Sequence, residues 1–200
     1  MTTAERAAGP QFICQADQAY PDRLLRRLDA NAPKSITIAG SPTPLSGPMT
    51  AFLCSQKTPG ATILKSFDQA AAWRDAGRCV ISGFHSPLER QCLDILLRGK
   101  QPIVMALARG MGAVRLPVAQ KAALDDGRLT IISPFPAKEN RATADLARQR
   151  NRFVTALADE VVFGFISQGG SNARLYDEIR AWGVMTRIIH NSVETSQSSP

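Results

Sequence analysis

Apolar and polar positions along the chain fall into blocks that recur in one order: a short β-branched apolar run, a few Gly, Ser or Pro, then a stretch with one apolar face. The runs "MTAFLCS", "RCVISGF", "QPIVMALA", "RLTIISPF" and "EVVFGFI" predict strands covered on both faces. Helices are predicted between about Ala61 and Ala76, ending at Gly77; from Pro87 to Arg98, ending at Gly99; and around Val118 to Leu124, stopped by Asp-Asp-Gly. Further helices fall within Ala142 to Ala158 and from Ala173 to Trp182, before a last strand "MTRIIH". Ahead of these, "AYPDRLLRRLDANAPKS" predicts a short basic helix carrying Leu24, Leu25 and Leu28, and "SITIAG" a short strand. Strands alternating with helices imply a parallel sheet covered on both sides. The expected class is therefore α/β: a Rossmann-like, doubly wound, mostly parallel sheet flanked by helices, in a single domain. Residues 1–35 are expected to form a helical lead-in and 36–190 the core. The polar, aperiodic stretch 191–200 is expected to be a disordered tail.

One joint is legible in more detail. In "VISGFHSPLERQCLDILLRG" a strand runs into a helix, and Ser86, Pro87, Leu88 and Glu89 spell a capping box. Leu88, Cys92, Ile95 and Leu96 follow on one helix face, and Gly99 supplies a stop. Such a strand-to-helix loop lies at the carboxyl edge of a parallel sheet, where backbone N–H groups and the positive helix end favour an anion. Gly83, His85 and Ser86 are thus candidate phosphate contacts, against the plainer reading of an ordinary tight turn. Glu89 is accounted for by the cap rather than by acid catalysis.

Composition narrows the partners. The chain has 200 residues, 44% of them hydrophobic, enough for one domain with a substantial core. A formal charge of +7 favours a polyanionic partner. Cys14, Cys54, Cys79 and Cys92 form no CxxC pair and read as reduced packing residues rather than metal ligands. No apolar run approaches ~18 residues, and "MTTAERAAGPQ" has no signal-peptide core, so a cytoplasmic protein without membrane insertion is expected. No catalytic residue, metal or cofactor is assigned.

Four more groups of residues fall at the same predicted edge. The loop "CSQKTPG" offers Ser55, Lys57 and Thr58 to a phosphate, and "SQGGSN" offers Gly169 and Gly170 before a helix capped by Ser171 or Asn172. Arg109 and Arg115 flank "GMGAV". Arg141, Arg148, Arg150 and Arg152 approach the fifth of the strands, against the plainer reading of a solvated arginine face, which applies most to Arg148. A helix unbroken through this stretch would turn Arg150 and Arg152 about 200° apart; a cap near Asn151 would let both face the crevice. Aromatic content is only 6%, and one of Phe84, Phe135, Phe163 and Phe165 is a candidate for stacking on a base. Trp73 and Trp182 read as packing residues, and His190 as incidental.

Taken together, "AYPDRLLRRL", "FLCSQKTPG", "VISGF" and the Arg-Asn-Arg of Arg150, Asn151 and Arg152 in "RQRNRFVTALADEVVF" resemble the DNA-processing protein A (DprA, or Smf) family, from the Tyr-Pro segment to about His190. The resemblance implies an extended Rossmann core that binds single-stranded DNA through its sugar-phosphate backbone. It also implies a role in DNA uptake and recombination, a RecA-type recombinase as partner, and homodimerisation. The chain departs from the family pattern in having Gln56 where Arg is usual and "GFHSPLER" where a Gly-rich stretch is common, as a short, divergent member would. The same superfamily architecture includes LOG-type phosphoribohydrolases, which supplies the alternative: a nucleotide-binding or nucleoside-monophosphate-processing protein. Its Pro-Gly-Gly-x-Gly-Thr-x-x-Glu motif survives in "SQGGSNARLYDE" only as Gly169 and Gly170.

Overall fold

The apolar runs become strands because their residues fit a pleated surface buried on both sides, and they assemble into one eight-stranded sheet. The computed structural model describes residues 10–112 and 114–189. Its strands are β1 (Gln11–Cys14), β2 (Ser35–Ala39), β3 (Thr50–Leu53), β4 (Val80–Ser82), β5 (Ile103–Ala106), β6 (Leu129–Ser133), β7 (Glu160–Phe163) and β8 (Met185–Ile188). The helices are α1 (Asp22–Leu28), α2 (Gly60–Asp75), α3 (Pro87–Leu96), α4 (Val118–Asp125), α5 (Ala144–Leu157) and α6 (Ser171–Ala181). The strand order is β1-β2-β6-β5-β4-β3-β7-β8. From β6 to β8 all neighbours are parallel, whereas β2 runs antiparallel to β6 and β1 antiparallel to β2.

Two apolar layers close the sheet. On one face α1, α5 and α6 bury Leu24, Leu28, Phe153, Leu157, Leu175 and Ile179. On the other, α2, α3 and α4 bury Trp73, Leu88, Cys92, Leu96 and Ala123, with Trp73 edge-on to Phe52 at 5.5 Å between ring centres. The expected doubly wound α/β class is what forms.

Four local expectations are corrected. The lead-in is not wholly helical: Gln11–Cys14 forms an edge strand, too short and too irregular in pattern to stand out. Helix α3 ends at Leu96, and Gly99 has no positive φ; a side chain there would strike Gln101 and Arg74, so lack of space selects the glycine. Helix α6 is capped by Gly170, not by Ser171 or Asn172, which fall in its first turn. Helix α5 runs unbroken through the Arg-Asn-Arg triplet, which excludes a cap near Asn151. His190 and the 191–200 stretch lie outside the described residues.

Candidate nucleic-acid interface

The order of strands reverses at β3: β4 and β5 continue to one side, and β7 joins on the other only after the chain has crossed over through α5. At such a reversal the loops leaving the carboxyl ends diverge and open a crevice. The crevice here measures about 460 Å³. Its walls come from Cys54 and Gln56 after β3, His85, Ser86 and Glu89 after β4, Ala108 after β5, the first half of α5, and Ser171 and Asn172 at the start of α6.

The joint between β4 and α3 forms as its residues dictate. Ser86 Oγ accepts the N–H of Glu89 at 3.2 Å, and the Glu89 carboxylate accepts the Ser86 N–H at 3.2 Å, completing the capping box. That carboxylate, only 4% exposed, also accepts the N–H of His85 at 2.8 Å and of Cys54 at 2.8 Å. It therefore ties the β3 loop to the β4 loop. The consequence is a correction: the backbone donors expected to hold a phosphate at this turn are taken by the protein's own anion. Phe84 sits at φ 46°, a left-handed conformation rare for an aromatic residue, with its N–H on Ser82 Oγ at 3.1 Å. The same turn chemistry recurs after β6, where the Phe135 N–H meets Ser133 Oγ at 3.1 Å. Phe84, Phe135 and Phe163 are all buried, so none can stack on a base, and only Phe165 is partly accessible.

Arg150 crosses from α5 to the sheet edge. Its guanidinium donates to the carbonyl of Ala106, the last residue of β5, at 3.1 Å, and lies against Gly83, where a Cβ would overlap it. Its Nε donates to Asn151 Oδ1 at 2.8 Å. The side chain is 3% exposed; burial lowers its pKa, and the Glu89 charge works in the opposite direction. An arginine so placed remains a cation and forms the floor of the crevice rather than its rim. Arg152, turned away by the unbroken helix, pairs with Glu178 at 2.6 Å and lies over Trp182 at 5.8 Å. The triplet thus does not act as one surface.

The other expected residues divide. His85, Ser86, Arg150 and Asn151 line the crevice, and the exposed Lys57 follows Gln56 at its mouth. Ser55 is structural: its N–H donates to the Phe165 carbonyl and its Oγ accepts the Ser167 N–H, both at 3.0 Å, joining the β3 and β7 loops. The Thr58 hydroxyl donates to the Ser55 carbonyl at 3.2 Å and lies 3.0 Å from Cys54 Sγ. Gly169 turns the β7 loop at φ 69°, and the Gly170 N–H donates to the Ser167 carbonyl at 3.0 Å. Arg109 bonds the adjacent Gly110 carbonyl at 3.1 Å, Arg115 is exposed, and neither lines the crevice.

Arg148, weighed against a solvated face, lines the crevice, as do Thr143 and Asn172, which were not among the expected contacts. Helical periodicity carried the signal for the first: Ala144, Ala147, Arg148 and Asn151 recur at i, i+3, i+4 and i+7 and share the wall. Among the described residues no three His, Cys, Asp or Glu side chains converge as metal ligands. Nor is any described helix long and apolar enough to cross a membrane.

An open α/β sheet, mostly parallel, with a cation-floored crevice where the strand order reverses defines the Rossmann-like class of nucleotide- and nucleic-acid-binding folds. The sequence profile of DNA recombination-mediator protein A matches residues 11–171, and the chain belongs to that family, the one its motifs resemble. Among solved structures it is similar to DNA processing protein A from Streptococcus pneumoniae (TM-score 0.76, 16% identity, covering 92% of this chain and 64% of that one). It is also similar to DNA processing protein A from Helicobacter pylori, whose structure describes a single-stranded DNA binding mode (TM-score 0.71, 13% identity, 92% and 82%). A molybdenum cofactor binding protein from Rippkaea orientalis shares the fold more distantly (TM-score 0.51, 8% identity, 70% and 75%). The chain spans under two thirds of the Streptococcus protein's length. No curated protein sequence matches it.

Proposed function

We propose that the protein binds single-stranded DNA through its sugar-phosphate backbone in the crevice at the β3/β7 reversal, as a DNA-processing component in uptake or recombination, without catalysing a reaction. The observation that carries this reading is the crevice itself: a buried Arg150 floor, Arg148 on the wall and Lys57 near the mouth, in a family member of net charge +7. The carboxylate within it, Glu89, is occupied by the backbone N–H groups of Cys54, His85 and Ser86, the last of them in the helix cap, and this structural use weighs against the nucleoside-monophosphate alternative. Family membership supports the remainder of the reading: a RecA-type recombinase as partner, a homodimer and a cytoplasmic location.

The test is fluorescence anisotropy of a labelled single-stranded oligonucleotide at several salt concentrations, run beside an assay for nucleoside-monophosphate hydrolysis. Expected are salt-sensitive binding of weak sequence dependence and no turnover, with a log–log slope of about −0.7 per phosphate neutralised. Hydrolysis without oligonucleotide binding would establish the alternative instead.

A further inference from the structure

A second concavity, of about 240 Å³, lies between α5 and α6 and shares Arg148, Asn151, Ser171 and Asn172 with the crevice. Asn172 is the informative member. It occupies the first turn of α6, is 6% exposed, and lines both spaces, yet its carboxamide makes no hydrogen bond among the described residues. The residue is otherwise packed, and its unpaired carboxamide keeps contact with the open space beside it, where its donors and acceptor are available to an occupant.

The chemistry of the groove selects the occupant. A phosphate carries only acceptors, and here it would meet the Glu178 carboxylate and the carbonyl end of Asn172. Of the groove's arginines, Arg152 is held by Glu178 at 2.6 Å and Arg148 is paired with Asp145 at the surface and shared with the crevice, which leaves Arg174 at the rim. A nucleobase offers the opposite match: adjacent donor and acceptor on its edge, which a carboxamide reads with both its groups, and a flat apolar face. Leu175 and the stems of Arg148 and Arg152 form apolar walls, and the exposed Arg174 stands at the rim to stack its guanidinium on a ring. We infer that the α5–α6 groove is a nucleobase subsite, in which Asn172 hydrogen-bonds the base edge while the adjoining phosphates lie in the crevice. This rests on the DNA-binding reading above and adds a base contact to a backbone contact.

The test compares a normal oligonucleotide with a fully abasic strand of equal length and phosphate count. The wild-type protein is expected to prefer the normal strand by about threefold to tenfold, the worth of one or two net hydrogen bonds. Asn172→Leu, which keeps the site filled, is expected to bring that ratio down by about threefold, with the salt slope unchanged because no phosphate contact is lost. Arg174→Ala, at an exposed position, is expected to lower the same ratio and stands in where Asn172→Leu does not fold. Equal affinity of the wild type for both strands, or an Asn172→Leu ratio identical to wild type, overturns the subsite while the backbone reading stands. Absence of binding to either strand overturns both.

Discussion

The guanidinium of Arg150 occupies the space that a side chain at Gly83 would need, and from there it donates to the Ala106 carbonyl at 3.1 Å. One glycine after β4 and one arginine on α5 thereby lock the helix to the carboxyl ends of two strands. The contact positions the wall of the crevice that carries Arg148 and Asn151. It also stations a cation in the same field as the buried Glu89.

Gly83→Ala is therefore expected to displace Arg150 and lower stability by about 1.5–3 kcal/mol, the range for a hydrogen bond to a charged group. Chemical denaturation measures it. In a double-mutant cycle with Arg150→Ala the two losses should fall short of adding, because each removes the same contact. Additive losses would show that the two positions act independently.

The arginines of α5 are expected to separate by assay. Arg150→Ala should cost about 1.5–3 kcal/mol, since it removes the buried guanidinium's hydrogen bond to the Ala106 carbonyl. Arg148→Ala should leave the melting temperature nearly unchanged, because its pairing with Asp145 is solvent-exposed, and should make the salt dependence of oligonucleotide binding shallower by about 0.7. Arg152→Ala should alter stability modestly through Glu178 and Trp182 and leave the salt slope alone. A slope change in Arg152→Ala as large as that in Arg148→Ala would return the DNA contact to the triplet.

These assignments mark where sequence reading succeeds and where it stops. Central strands and the capping box were legible because continuous β-branched runs and the Ser-x-x-Glu spacing are local signals. Strand β1 was not: four residues at a sheet edge gain their conformation from pairing with β2, which no local pattern records. The positions of Lys57, His85 and Gly170 at one sheet edge followed from topology alone. The further reach of Glu89, past the cap to the His85 N–H and to Cys54, 35 positions away in the chain, did not. Asn172 was legible only as a cap candidate, and its burial beside two open spaces is a tertiary fact.

Alkaline pH should destabilise the α2–α3 contact through Cys92. This buried thiol donates to the Ser66 carbonyl at 3.6 Å, and burial pushes its pKa up from the ordinary 9.0 to about 12. The folded chain thus holds a proton that the unfolded chain releases. The stability so provided is full below pH 9 and is lost as pH rises toward 12, at up to about 1.4 kcal/mol per pH unit. Cys92→Ala should start from lower stability near neutrality and lose it less steeply above pH 9 than the wild type. Parallel denaturation curves for the two proteins across that range would refute the assignment.

Glu89→Gln distinguishes a structural carboxylate from a catalytic one. The amide keeps an acceptor but loses the charge that faces Arg150 and holds the N–H groups of Cys54, His85 and Ser86. Stability is expected to fall by about 1.5–3 kcal/mol, measured by urea denaturation. Removing a negative charge from a crevice that receives phosphates should at the same time raise affinity for single-stranded DNA at low salt, by about tenfold for a phosphate about 10 Å away at an effective dielectric near 20. Binding titrations below the denaturation midpoint separate the two effects. A variant with unchanged stability would deny Glu89 its place between the β3 and β4 loops, and a loss of oligonucleotide affinity in a fully folded variant would mean that the carboxylate itself engages the ligand.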